Sequence, residues 1–255
     1  LTLLLLVIII VLAFRLSPYP SVWIIRYGFD KEAKRVNSEL AAFVPPGIVT
    51  MAGIQYDRED EDAFLDAYYH KDSLAVNKKL PVIVWTHGGG LISGNKEQLS
   101  NYCKVLASKG YLSISIDYSI APKGKYPAPL QQLNKALAFI TANSDSLHAD
   151  PAFFILAGDS GGSMIAASVA NIITSPSYAT LTKIQPGINA GQLKGLLLYC
   201  GIYNATDFNT EGGFGSFLKT VQWAYFCKKD VSQDAYAKTA SVLNYVSGSF
   251  PPSFI

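Results

Sequence analysis

From Pro81 to Val246 the chain alternates short, unbroken apolar runs with segments whose apolar residues recur at helical spacing, and few folds accommodate that order. A strand with no polar face has to be covered on both sides, which happens inside a parallel sheet layered by helices. Pro81–Trp85 (Pro-Val-Ile-Val-Trp) is such a run, and Tyr111–Tyr118, Phe153–Ala157 and Leu193–Cys200 are also read as strands. Helices are expected over Leu99–Lys109, Pro129–Asn143, Gly162–Thr174 and Tyr236–Val246. In the second of these, Leu130, Leu133, Leu137 and Ile140 fall on one stripe, and Gly110 is a suitable stop for the first. The alternation implies a mostly parallel sheet with helices on both faces. Upstream, Ile48–Tyr56 and Phe64–Tyr69 read as two strands joined by the acidic turn Asp57–Asp62, a solvated hairpin tip rather than a metal site. A helix over Lys31–Phe43 should end before Pro45-Pro46.

With 255 residues, 49% of them hydrophobic and 16% charged, the chain can bury one sizeable core and is not disordered by composition. Its net charge is +2 and no Lys/Arg run exceeds two residues, so the concentrated basic surface that nucleic-acid binding needs is missing. The three cysteines, Cys103, Cys200 and Cys227, cannot all pair with one another and have no metal-site spacing; buried free thiols are the expectation.

The chemistry is concentrated at two glycine-rich turns. Gly158-Asp159-Ser160-Gly161-Gly162 fits G-x-S-x-G. The pentapeptide alone is a weak signal, but here it follows an apolar strand and opens an Ala-rich helix. A strand-to-helix turn that tight needs small residues two before and two after the serine, and it holds the hydroxyl proud of the sheet at a helix N-terminus. Ser160 is therefore the candidate nucleophile. The second turn, His87-Gly88-Gly89-Gly90, directly follows the strand Pro81–Trp85. Glycines let the main chain approach a substrate closely and aim N–H groups at one point, as an oxyanion hole requires. Gly88 and Gly89 are the expected donors, with Gly161 N–H as the third. The turn lacks the Gly-Lys-Ser/Thr ending and the G-x-G-x-x-G spacing of nucleotide sites. His87 is read as shaping the loop by hydrogen bonding, with Gly90, Gly158 and Gly162 supporting the two turns.

These blocks, together with Asp117-Tyr118-Ser119-Ile120-Ala121-Pro122 and Tyr126-Pro127-Ala128 between them, resemble the hormone-sensitive-lipase-like branch of the α/β-hydrolases, over roughly Phe64 to Ile255. The resemblance implies the α/β-hydrolase fold and hydrolysis of small-molecule carboxylic esters through an acyl-enzyme, without a cofactor or metal. It also implies that Asp159 buttresses the elbow and that Asp117 is structural. Two positions depart from the family pattern: Gly161, where Ala is usual, a change harmless to a backbone donor, and Leu91, where an aromatic is common, which implies an acyl pocket of different shape. The same scaffold can serve a non-catalytic binding protein or a serine peptidase, and both stay open as alternatives.

In this fold the triad runs serine, then acid, then histidine. The histidines here, His70, His87 and His148, all precede Ser160. The expectation is that acid and base lie beyond Ile255, since Pro251-Pro252-Ser253-Phe254-Ile255 reads as a loop entering a further strand. At the other end, Leu1–Phe14 is apolar apart from Thr2 and closes on Arg15. As a helix it spans about 21 Å, short of the roughly 30 Å bilayer core. It is read as an uncleaved membrane anchor that begins upstream, with an extracytoplasmic domain; a secretory signal and a buried core helix are the other readings. The expected organisation is thus residues 1–14 as transmembrane anchor, 15–63 as connector, cap-like segment and first strand, and 64–255 as a hydrolase domain incomplete at its C-terminus.

Overall fold

The computed structural model describes residues 1–75, 79–206 and 211–255. Its strands are β1 (Ile48–Gln55), β2 (Phe64–His70), β3 (Leu80–Thr86), β4 (Leu112–Ile116), β5 (Ala149–Asp159), β6 (Leu193–Tyr199) and β7 (Ser253–Phe254). They form one sheet in the order β1-β2-β4-β3-β5-β6-β7. β2 runs antiparallel to β1 and β4, and every other neighbouring pair is parallel. The acidic turn between β1 and β2 is a hairpin tip whose carboxylates meet cations from elsewhere: Lys123 pairs with Glu61 and Asp62, and Lys135 with Asp57.

The helices are α1 (Thr2–Leu16), α2 (Tyr19–Leu40), α3 (Ser100–Ala107), α4 (Ala128–Ala142), α5 (Gly161–Thr174), α6 (Pro176–Thr182), α7 (Gly212–Phe226) and α8 (Ala235–Lys238). Successive strand residues point to opposite faces, so β3 feeds two cores. Val82 and Val84 join the larger one, with Leu130, Leu133, Leu137 and Ile140 of α4 and the buried side of α5. Ile83 and Trp85 join the other, with Cys103 and Ala107 of α3. The four α4 residues are fully buried, and each stabilises the fold by about 1.5–3 kcal/mol. α5 is buried from Gly161 to Ile173, which marks it as the central helix.

Three expectations need correction. The helix expected over Lys31–Phe43 starts at Tyr19 and runs 22 residues before a 3-10 turn at Ala41–Phe43. The helix expected over Tyr236–Val246 is only α8 plus a 3-10 turn at Val242–Asn244. Ser241 interrupts it in an extended conformation, because its Oγ accepts the Ala205 N–H at 2.9 Å. Of the cysteines, only Cys103 is buried; Cys200 and Cys227 are exposed.

The apolar N-terminal run is α1, with no buried residue, which rules out the core-helix reading. Among the described residues no single helix is long and apolar enough to cross a membrane; α1 and Tyr19–Phe43 meet that length and composition only as a pair bent by 81°.

The tightest crossing is between α5 and the end of β3. A Cβ on Gly162 would lie 2.0 Å from Thr86 O and 2.4 Å from His87 O, both backbone atoms that cannot swing aside. Gly191 has nothing within 4 Å of the same position. Gly162→Ala should therefore lower stability by about 3 kcal/mol or more, while Gly191→Ala stays within about 0.5 kcal/mol of the parent; chemical denaturation of the two variants checks the contrast.

Candidate active site

Ser160 is the N-cap of α5 and has φ +49°, ψ −116°, a sparsely populated conformation for a residue with a side chain. Its N–H donates to Tyr199 O on β6 at 2.7 Å, which fixes the elbow to the neighbouring strand. Gly158 and Gly162 allow the turn: a Cβ on Gly158 would stand 2.5 Å from the Gly162 carbonyl carbon. The small residues expected on either side of the serine are thus required by backbone contact. Gly161 opens α5, so its N–H is one of the first-turn donors left without an intrahelical acceptor.

The loop after β3 faces this elbow. Asp159 joins the two: its Oδ1 accepts Trp85 Nε1–H at 3.1 Å and Gly88 N–H at 3.2 Å. Burial raises the Asp159 pKa, and the bonds from Trp85 and Gly88 oppose that rise. The bond also removes Gly88 from the expected donor pair, because its N–H is turned to Asp159. Among the described residues, Gly89 and Gly90 N–H have no acceptor. Gly89 has φ +93° and accepts Ile92 and Ser93 N–H on its carbonyl, at 3.2 and 3.1 Å, so the chain doubles back over it. Gly90, expected only as motif support, has an N–H as free of an acceptor as that of Gly89; spacing alone does not tell which of three glycines is tied to Asp159.

His87 is sealed beneath the loop. Its Nδ1–H donates to Gly88 O at 2.9 Å, and its ring stacks on Tyr118 at 4.2 Å. Tyr118 OH in turn donates to His87 O at 2.9 Å. Burial pushes the His87 pKa down to about 4, so the ring is neutral near pH 7. Its ring is thus hydrogen bonded into the loop it precedes. His70 is occupied by Pro46 O, 3.1 Å from its Nε2, and His148 packs edge-on against Tyr69. Among the described residues, none of the three is hydrogen bonded to Ser160.

A cavity of about 370 Å³ opens at Ser160. Gly88, Gly89 and Asp159 line it with the serine, and α2 contributes Phe29, Glu32, Ala33 and Val36. The N-terminal segment is therefore part of the cavity wall. The other apolar element nearby is α7, where Phe217 lies so close to Gly90 that a Cβ there would meet its ring at 2.6 Å.

A seven-stranded, mostly parallel sheet carrying a strand–serine–helix elbow opposite a glycine turn defines an α/β-hydrolase. The BD-FAE family model matches residues 65–255, three quarters of the chain, and the chain belongs to that family. It is 26% identical over 205 residues to esterase LipQ of Mycobacterium tuberculosis, covering 79% of this chain and 47% of LipQ. With esterase LipC of the same organism it shares 30% identity over 122 residues, covering 47% of this chain and 30% of LipC. The chain thus spans less than half the length of these curated relatives. Among solved structures, esterase B from Lactobacillus rhamnosis superposes with a TM-score of 0.77 at 21% identity, covering 92% of this chain and 74% of that one. The esterase of the archaeon Pyrobaculum calidifontis gives 0.70 at 24%, covering 93% and 72%. Both share the fold.

The His87 environment has a consequence in acid. The unfolded imidazole titrates near its usual 6.5 and the folded one near 4, so between those values the unfolded chain binds more protons. Stability contributed by neutral His87 should be intact above pH 6.5 and decline as pH falls toward 4. Denaturation of the parent and His87→Gln across that window should show the steeper acid loss in the parent.

Proposed function

We propose that the protein is a serine carboxylesterase that cleaves small-molecule esters through an acyl-enzyme on Ser160. The observation that carries the reading is the pairing of a strained serine at the head of α5 with Gly89 and Gly90 N–H groups that have no partner among the described residues. Strain of this kind persists where the surroundings over-determine it and is concentrated at working sites. In the proposed reaction the Ser160 hydroxyl oxygen attacks the ester carbonyl carbon. The carbonyl oxygen becomes an oxyanion held by Gly89, Gly90 and Gly161 N–H. Collapse expels the alcohol, and water then releases the acid. Fixed backbone donors need no reorganisation as the charge develops, which is why such groups contribute heavily to rate.

The Ser160 proton needs a general base. His87 is unsuited: its ring is buried beneath the loop and, among the described residues, makes no hydrogen bond to Ser160. The proposal therefore draws the base and its acid partner from outside residues 1–255, in the order serine, acid, histidine that the fold follows. The esterase names of the relatives support the hydrolase reading.

The chain is further proposed to attach to a membrane through α1. From Leu3 to Leu12 its side chains are 46–75% exposed, an apolar surface on every side that water disfavours. Carbonate-washed membranes should retain the full-length protein, and release of all of it with α1 intact would exclude attachment.

The activity is tested on the full-length protein with a fluorophosphonate probe and a p-nitrophenyl ester series. Ser160→Ala should abolish labelling and lower turnover by at least 1,000-fold, within the range roughly expected for loss of a nucleophile. Labelling that survives in the variant sinks the assignment of Ser160. Labelling with amide but no ester cleavage would make the protein a peptidase, and neither labelling nor turnover would leave a binding protein.

A further inference from the structure

α2 precedes the first strand and lies outside the residues the family model matches, yet it is bonded to the loop that carries Gly89 and Gly90. Its covered face mixes apolar and polar residues. Val22 is its sole buried residue; one and two turns on come Arg26 and Asp30, and then Asn37. Arg26 Nε donates to Ile92 O at 2.6 Å and its Nη2 to Ala121 O at 2.9 Å. It thereby ties the loop to the turn at residue 121, whose N–H already donates to Leu91 O at 2.7 Å. A single oxygen of Asp30, Oδ1, accepts from Ser93 Oγ at 2.7 Å, Gln98 Nε2 at 3.1 Å and Gly94 N–H at 3.3 Å. Burial raises the Asp30 pKa, but the bonds from Ser93, Gln98 and Gly94, with Arg26 nearby, outweigh it and hold the carboxylate ionised.

The residues so gripped are those that set the glycine turn. Ser93 N–H donates to Gly89 O, and a Cβ on Gly89 would lie 2.3 Å from Ser93 O. A Cβ on Gly94 would lie 2.4 Å from His87 Nδ1. Ser93 and Gly94 thus pack directly on Gly89 and on His87, either side of Gly88, and any shift in them moves the glycine turn. We propose that Arg26 and Asp30 are positioning residues that clamp the oxyanion loop from α2 and hold its N–H groups in register with Ser160. Neither touches the reacting atoms. The inference rests on reading Gly89 and Gly90 as oxyanion donors.

The full-length protein tests it, with steady-state turnover of a p-nitrophenyl ester, affinity for a trifluoromethyl ketone that forms the tetrahedral adduct, and thermal melting. Asp30→Ala should lower kcat by about 10- to 100-fold, as expected when catalytic groups are displaced without being removed, and should weaken the ketone in parallel. KM should stay within about threefold of the parent, the pattern of an interaction made only in the transition state. Asp30→Asn, which keeps an acceptor oxygen, should recover most of kcat. Ser93→Ala removes one of the three bonds from the loop side, leaves α2 untouched, and should lower kcat in the same direction; it serves if Asp30→Ala does not fold. Parent-like kcat and ketone affinity in both Asp30→Ala and Ser93→Ala, or losses confined to KM or melting temperature, would overturn the proposal while leaving the esterase reading intact. A parent protein with no turnover dependent on Ser160 would instead overturn the esterase reading and the clamp with it.

Discussion

The structure depends first on the contact between the start of α5 and the end of β3. α5 can sit there only because Gly162 has no side chain to strike Thr86 O and His87 O. That approach brings the head of a central, almost wholly buried helix under the loop leaving β3. The elbow and the glycine turn face each other as a consequence of backbone packing, before any side chain is considered. Asp159 then locks the juxtaposition by binding Trp85 on β3 and Gly88 in the loop with one oxygen.

The loop is gripped from two sides. α2 holds it at Ile92, Ser93 and Gly94. Where the loop returns, Asp117 Oδ1 accepts Lys96 N–H at 2.7 Å, and the buried Lys96 ammonium meets Asp66 at 3.3 Å and pairs with Glu97. Burial pushes the Asp117 pKa up to about 6, with the bond from Lys96 N–H working against it. Buried ion pairs of this type add little net stability but are costly to break in half. Their value here is geometric, because they specify one path for a stretch of chain otherwise rich in glycine.

Much of this was legible in the sequence, for identifiable reasons. β3, β4 and β6 and helices α4 and α5 are covered by other elements, so their burial left a continuous or periodic apolar record. The elbow was legible because its glycines are forced by contact. α2 was partly missed because it docks through Arg26, Asp30 and Asn37, residues that read as a solvated helix face. α7 left no recognised pattern, although Leu218, Ala224 and Tyr225 are buried. The helix over Tyr236–Val246 has adequate local spacing, but a tertiary bond at Ser241 overrides it. Spacing could not reveal that Gly88 is tied to Asp159, since three successive glycines are equivalent until their partners are placed.

The position of α2 separates two boundaries that are usually assumed to coincide. The family match begins at residue 65 and so leaves out Arg26 and Asp30. The unit that the family model describes is therefore narrower than the one that builds the cavity. The helix upstream of it lines that cavity through Phe29, Ala33 and Val36 and makes two ties to the glycine loop. Exchanges in α2 would alter both the fit of the cavity and the tension in the loop while the elbow and its glycines stayed as they are.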